Sequence, residues 1–159
     1  MCRKNRILCS FLMATAQIGL ALPALAVEIG PGDDLEAAVA NLSPGEELVL
    51  RGGTYFFDEN VTLTANGTAA QPIVVRARSG EQPVVEQATA NQNVVEINGS
   101  SYLVFRGIEF TGGSHGIRLI NSNFVTIEDC EVHETGDVAI SAPPAIITSC
   151  NPHRIDSVA

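Results

Sequence analysis

From Glu47 onward the chain is written in short β-branched runs, each bounded by Gly, Asn, Pro or Ser. Leu48-Val49-Leu50 precedes Gly52-Gly53, Val61-Thr62-Leu63 precedes Asn66-Gly67, and Ile73-Val74-Val75 follows Pro72. Val84-Val85, Val94-Val95-Glu96-Ile97 and Tyr102-Leu103-Val104-Phe105 continue the series. Runs of this kind predict strands. Only Asp33 to Leu42 breaks the pattern: Leu35, Ala38, Val39 and Leu42 fall at i, i+3, i+4 and i+7, the apolar face of a helix. Asp33 is expected to cap it, Glu36 to complete a capping box, and Ser43-Pro44-Gly45 to stop it.

The strand pattern repeats. Val95 matches Ile117, Ile97 matches Leu119, Tyr102 matches Phe124, Phe105 matches Ile127, Ile108 matches Cys130 and Phe110 matches Val132, every pair at the same spacing. Asp137 to Ser141 opens a third copy, shifted slightly out of step. A period of about 22 residues with several strands and no helix predicts the coil of a parallel β-helix. One coil cannot bury its own apolar positions, but stacked coils align them in ladders. Ile97, Leu119 and Ile140 or Ser141 are expected in one ladder, Ile108 and Cys130 in another. Leucine-rich repeats have a similar period but a leucine frame; here the positions are Val, Ile, Phe and Cys. The expected fold is all-β, a right-handed parallel β-helix of about four coils. The short N-terminal helix covers its open end.

Residues 1–26 read as a secretory signal peptide. Arg3, Lys4 and Arg6 precede a largely apolar stretch, and Pro23-Ala24-Leu25-Ala26 ends in the small-x-small pattern of a cleavage site. The apolar stretch is short for a membrane anchor. A secreted or periplasmic location follows as an expectation, with coils over 27–141 and an irregular tail over 142–159. Of nine Lys and Arg, three lie in the leader, so the remainder carries six against eighteen acidic residues, a net charge of −12. That balance argues against nucleic acid and anionic membrane surfaces as partners. The remainder also has no lysine, which excludes Schiff-base chemistry and a P-loop. Cys130 and Cys150 remain after cleavage; Cys130 sits in an apolar pattern and reads as a core residue, and a bridge to Cys150 stays open.

Asp34 to Tyr55, with its helix, Ser43-Pro44-Gly45-Glu46-Glu47, Leu48-Val49-Leu50 and Arg51-Gly52-Gly53-Thr54-Tyr55, resembles the cap and first coil of bacterial right-handed β-helix proteins. Gly67 to Ala77 is similar to their second segment. The resemblance is to the polysaccharide lyase family that includes chondroitinase B and alginate lyases, within the wider pectate-lyase-like superfamily. It covers about Asp33 to Ser141 and implies an acidic polysaccharide as partner. In that family it also implies a lysine–arginine pair and a calcium (Ca2+) site on later coils, none of which maps onto this chain. After Ser141 the register fails at Pro143-Pro144. The chain is therefore expected to be a truncated member, with self-association through an open C-terminal coil.

Candidate chemistry is confined to outward positions. Glu109 and Glu131 lie one period apart, followed by Thr111 and His133. Stacked carboxylates can hold a calcium ion; a solvated acidic face is the plainer reading. Val125 to Cys130 resembles the W-I-D-H-C strand of pectate lyases, with Glu128 in place of a calcium-binding aspartate, but Thr126 and Asp129 replace the Trp and His. The candidates are thus Glu109, Glu128 and Glu131 for a metal, and Arg106 and His133 for substrate, with His133 also a candidate general base. Asn60, Asn66 and Asn98 head glycosylation-type triplets, two of which the turn chemistry of Asn-Gly explains. The expected function is the N-terminal part of a secreted, lyase-like polysaccharide-active protein without its catalytic coils. The alternative is a non-catalytic carbohydrate-binding or cell-surface module.

Overall fold

The computed structural model describes residues 26–141 and the backbone of 154–155. The signal-peptide reading of 1–26, apart from Ala26 itself, lies outside the described residues, as do most of the expected tail and Cys150. The strands stack into three parallel sheets. Sheet A contains β1 (Ala26–Ile29), β2 (Glu47–Leu50), β5 (Ile73–Ala77), β8 (Ser101–Arg106) and β11 (Asn123–Glu128). Sheet B contains β3 (Gly53–Phe57), β6 (Pro83–Gln87), β9 (Glu109–Gly112), β12 (Glu131–His133) and β14 (Arg154–Ile155). Sheet C contains β4 (Thr62–Leu63), β7 (Val95–Asn98), β10 (Ile117–Ile120) and β13 (Ile140–Ser141). The chain visits A, B and C in turn, so each circuit is one coil of a parallel β-helix of about five turns, one more than the repeat count gives.

Ladders of alternate residues fill the interior. Leu48, Val75, Phe105 and Ile127 stand in register, as do Tyr55, Val85, Phe110 and Val132, and Leu63, Ile97 and Leu119. Every one of these side chains is buried. The expected ladder through Ile140 is corrected. Ile140 pairs with Ile117 and Ser141 with Arg118, because the last coil is longer than the repeat and carries the register past its expected place. Arg154 and Ile155 pair with Glu131 and Val132, so the stack resumes where the pattern after Ser141 has no visible register.

The helix α1 (Leu35–Ala40) is shorter than its periodic stretch and buries Leu35 and Val39. Its cap is Asp34, whose Oδ1 accepts the Ala37 N–H at 2.9 Å, and not Asp33. Asp33 instead accepts the Gly30 N–H at 2.7 Å. Glu36 makes no capping box: its carboxylate accepts the Thr62 N–H, tying the helix to β4. No helix among the described residues is long and apolar enough to cross a membrane.

Turns repeat as faithfully as strands. Left-handed backbone occurs at Gly99, Gly107 and Gly112 and recurs one period later at Asn121, Asp129 and Glu134. Tyr102 and Phe124 form a fourth such pair. Glycine adopts this conformation without steric cost, and Asn and Asp tolerate it better than most residues. The shared geometry explains why the coils align despite different turn residues.

Candidate functional site

Alternation along each strand sends odd and even positions to opposite faces, and the polar positions of sheets A and B build two separate clusters. On sheet A, β8 and β11 pair so that Arg106 and Glu128 share one column. The guanidinium donates to Glu128 Oε2 from Nε at 2.8 Å and Nη2 at 2.7 Å. One strand earlier, Arg76 Nε donates to Glu47 Oε2 at 2.9 Å. Opposite charges in neighbouring strands produce such pairs, each contributing at most about 1 kcal/mol when exposed.

On sheet B, Glu109 and Glu131 share a column of like charge. Glu109 is engaged from both sides. Gln82 Nε2 donates to its Oε2 at 2.7 Å, and His133 Nε2 lies 2.9 Å from its Oε1. His133 is in register with Thr111, so it reaches Glu109 diagonally. The Glu109 and His133 side chains are each only about one-fifth exposed, at 19% and 21%. The imidazole is thereby oriented as a base would be, by a carboxylate on one ring nitrogen. A second imidazole–carboxylate contact links the same coils: His115 Nε2 lies 3.4 Å from Asp137 Oδ2.

Of the residues singled out from the sequence, Glu109, Glu131 and His133 come together on sheet B. Arg106 and Glu128 form a distinct pair on sheet A. Where the two sheets meet, Glu81, Gln82, Gly107, Ile108, Glu109, Asp129 and Glu131 line a groove of about 330 Å³. Gln82 and Glu81 were not legible as part of it, because their coil departs from the repeat. Glu109 stands one regular period below Glu131, but the strand beneath it pairs through Val84, further back in the chain than that period reaches. Two of the groove's four carboxylates already have partners within the protein. Glu109 has both oxygens engaged, and Glu81 accepts the Gly52 N–H and pairs with Arg78. Among the described residues no three His, Cys, Asp or Glu side chains are grouped to hold a metal.

Cys130 is buried, and among the described residues it forms no disulfide. Burial pushes its thiol up to about 11, against weaker lowering by hydrogen bonds from the nearby backbone. It is a core residue and no nucleophile.

The family model described as "Pel9A-like, right handed beta helix region" matches residues 26–154. Pectate lyase PEL9 of Emericella nidulans is 27% identical over 123 residues, spanning 67% of this chain and 30% of that protein. Pectate lyase L of Paenibacillus polymyxa is 34% identical over 113 residues, spanning 67% and 25%. The crystal structure of alginate lyase from Paenibacillus sp. str. FPU-7 superposes with a TM-score of 0.65 at 26% identity, over 72% of this chain and 39% of that one. That of pectate lyase Pel9A superposes at 0.63 and 20% identity, over 72% and 35%, a likeness of fold. The chain thus spans between a quarter and two-fifths of these relatives' own lengths.

Proposed function

The chain belongs to the Pel9A-like right-handed β-helix family, and from that premise we propose that it is the N-terminal part of a secreted, polysaccharide-active protein of the lyase type, whose reaction is carried out on further coils. One observation carries this reading. The relatives it resembles bear the names pectate lyase and alginate lyase, yet the matched stretch supplies little of the chemistry that β-elimination from a uronate needs. That reaction requires a cationic group on the carboxylate and a base at the C5 proton. Residues 27–159 contain no lysine. Among the described residues Arg51, Arg76, Arg78 and Arg106 each pair with a carboxylate of the protein itself, and Arg118 stands on sheet C and does not line the groove around Glu109. His133 is held by Glu109, beside a groove lined by four carboxylates, which repels a polyuronate. These coils therefore act as scaffold: they cap the helix, set its register and present a surface to the polymer.

The test is direct. The purified chain is incubated with alginate, pectate or chondroitin sulfate, with and without calcium, and the absorbance of unsaturated uronate is followed. No product is expected. Product formed by this chain alone would overturn the reading and promote His133 or Arg106 to a catalytic role. Translation of the downstream DNA supplies a second check: further coils bearing Lys or Arg are expected, and their absence would favour the non-catalytic module.

A further inference from the structure

We propose that the outer face of sheet A around Tyr102 and Phe124 is a binding platform for a pyranose ring of a neutral oligosaccharide. The two residues occupy the same position in successive coils, one period apart. Their rings lie parallel, with centroids 4.5 Å apart and an interplanar angle of 8°. The backbone beneath them is left-handed, at φ 51° and 54°. That conformation costs a bulky residue about 1–2 kcal/mol. At the three other left-handed positions of the repeat, the earlier coil uses glycine and avoids the cost. Here both coils keep an aromatic residue. Core packing is not the reason, since both rings lie on the outside and Phe124 is 42% exposed. Strain retained at an exposed position points to binding.

The surroundings choose the ligand. Tyr102, Phe124, Val104, Thr126, Ala69 and Pro72 line a groove of about 300 Å³ that contains no charged side chain. Further along β8 from Tyr102 the first guanidinium is Arg106, which Glu128 already occupies. Among the described residues no free cation lies there for a uronate carboxylate, which also meets a strongly acidic protein. The flat C–H face of a neutral pyranose is matched by aromatic and aliphatic walls, and its hydroxyls by the Thr126 hydroxyl, the Tyr102 phenol and water. The class of ligand rests on the polysaccharide-active reading above; the choice of a neutral sugar goes beyond it.

The protein carries its own probe. It has no tryptophan and two tyrosines, and Tyr55 is 1% exposed, so tyrosine absorbance changes on adding a sugar report Tyr102. The full chain is titrated with a neutral β-1,4-galactan oligosaccharide and, in parallel, with an oligogalacturonate of the same length. A saturable tyrosine signal is expected with the neutral sugar. Phe124→Ala should weaken it about tenfold, the loss of one aromatic contact. Thr126→Arg, an outward change that fills the groove while leaving the stack in place, should abolish it. No signal with the neutral sugar, or a signal that survives Thr126→Arg, would overturn the platform. A signal confined to the oligogalacturonate would overturn the choice of a neutral ligand. Unsaturated uronate formed by a chain that gives the neutral-sugar signal would overturn the scaffold reading alone.

Discussion

The hydroxyl of Ser122 accepts the backbone N–H of Ser100 at 3.0 Å, across one full period of the repeat. The same oxygen lies 3.1 Å from the carbonyl of Ile97 and 2.9 Å from that of Ile120. Ser100 does likewise one coil earlier, accepting the Ala65 N–H at 3.1 Å. Both serines are buried, at 2% and 4% exposure. Each of these two coils thus satisfies, at its C-to-A turn, a backbone donor of the coil beneath it.

Ser122→Ala removes the acceptor and leaves the buried Ser100 N–H unpaired. The expected loss is about 1–3 kcal/mol, read as a lower denaturation midpoint with an unchanged slope. Ser101→Ala, whose hydroxyl bonds Asn66 Oδ1 at the exposed surface, should cost less than about 1 kcal/mol. Equal losses for the two would contradict the buried-donor account.

The left-handed turn positions predict an asymmetry between equivalent residues. Gly107→Ala places a side chain at φ 70° and should cost about 1–2 kcal/mol. Its counterpart Asp129, at φ 50°, already bears that cost. Asp129→Gly should therefore change stability by less than about 1 kcal/mol. Urea melts of the two variants decide it.

Cys130 gives a pH dependence with a definite sign. Its thiol is raised from an ordinary value of 9.0 to about 11, so the folded protein holds a proton that the unfolded chain releases. The stabilising contribution is fully present below the unfolded value and is lost as pH rises from about 9 toward 11. The loss is at most about 3 kcal/mol. In a variant carrying Cys2, Cys9 and Cys150 as serine, Ellman's reagent should react with Cys130 only on unfolding. Rapid labelling of the folded protein would refute its burial.

Beyond the buried Leu35 and Val39, the bond from Thr62 to Glu36 ties the helix to β4 through one polar side chain. Glu36→Ala should cost about 1 kcal/mol, given its exposed setting. Hydrogen exchange should speed up selectively over Leu35 to Ala40. Uniform acceleration through the coils would mean the helix is not a separable cap.

What the sequence determined by itself was the coil. A fixed spacing of Val, Ile, Phe and Cys is a property of the chain alone, and stacking it in register is the way those residues leave water. Phe110 under Val132 and Ile97 under Leu119 were readable on that basis. The helix was readable from its face, but its cap was not: Asp33 and Asp34 are chemically identical, and only the path of the chain past Gly30 assigns them. Ile140 sits over Ile117 because the longer last coil shifts the register, which pairing reveals and composition does not. The candidate site was decided by tertiary structure. Sequence spacing brought Glu109 to Glu131, but Gln82 and Glu81 come from a coil of different length, and His133 joins Glu109 diagonally. A side chain's partners depend on the neighbouring coils, whose lengths vary, whereas its inward or outward facing depends only on the alternation of its own strand.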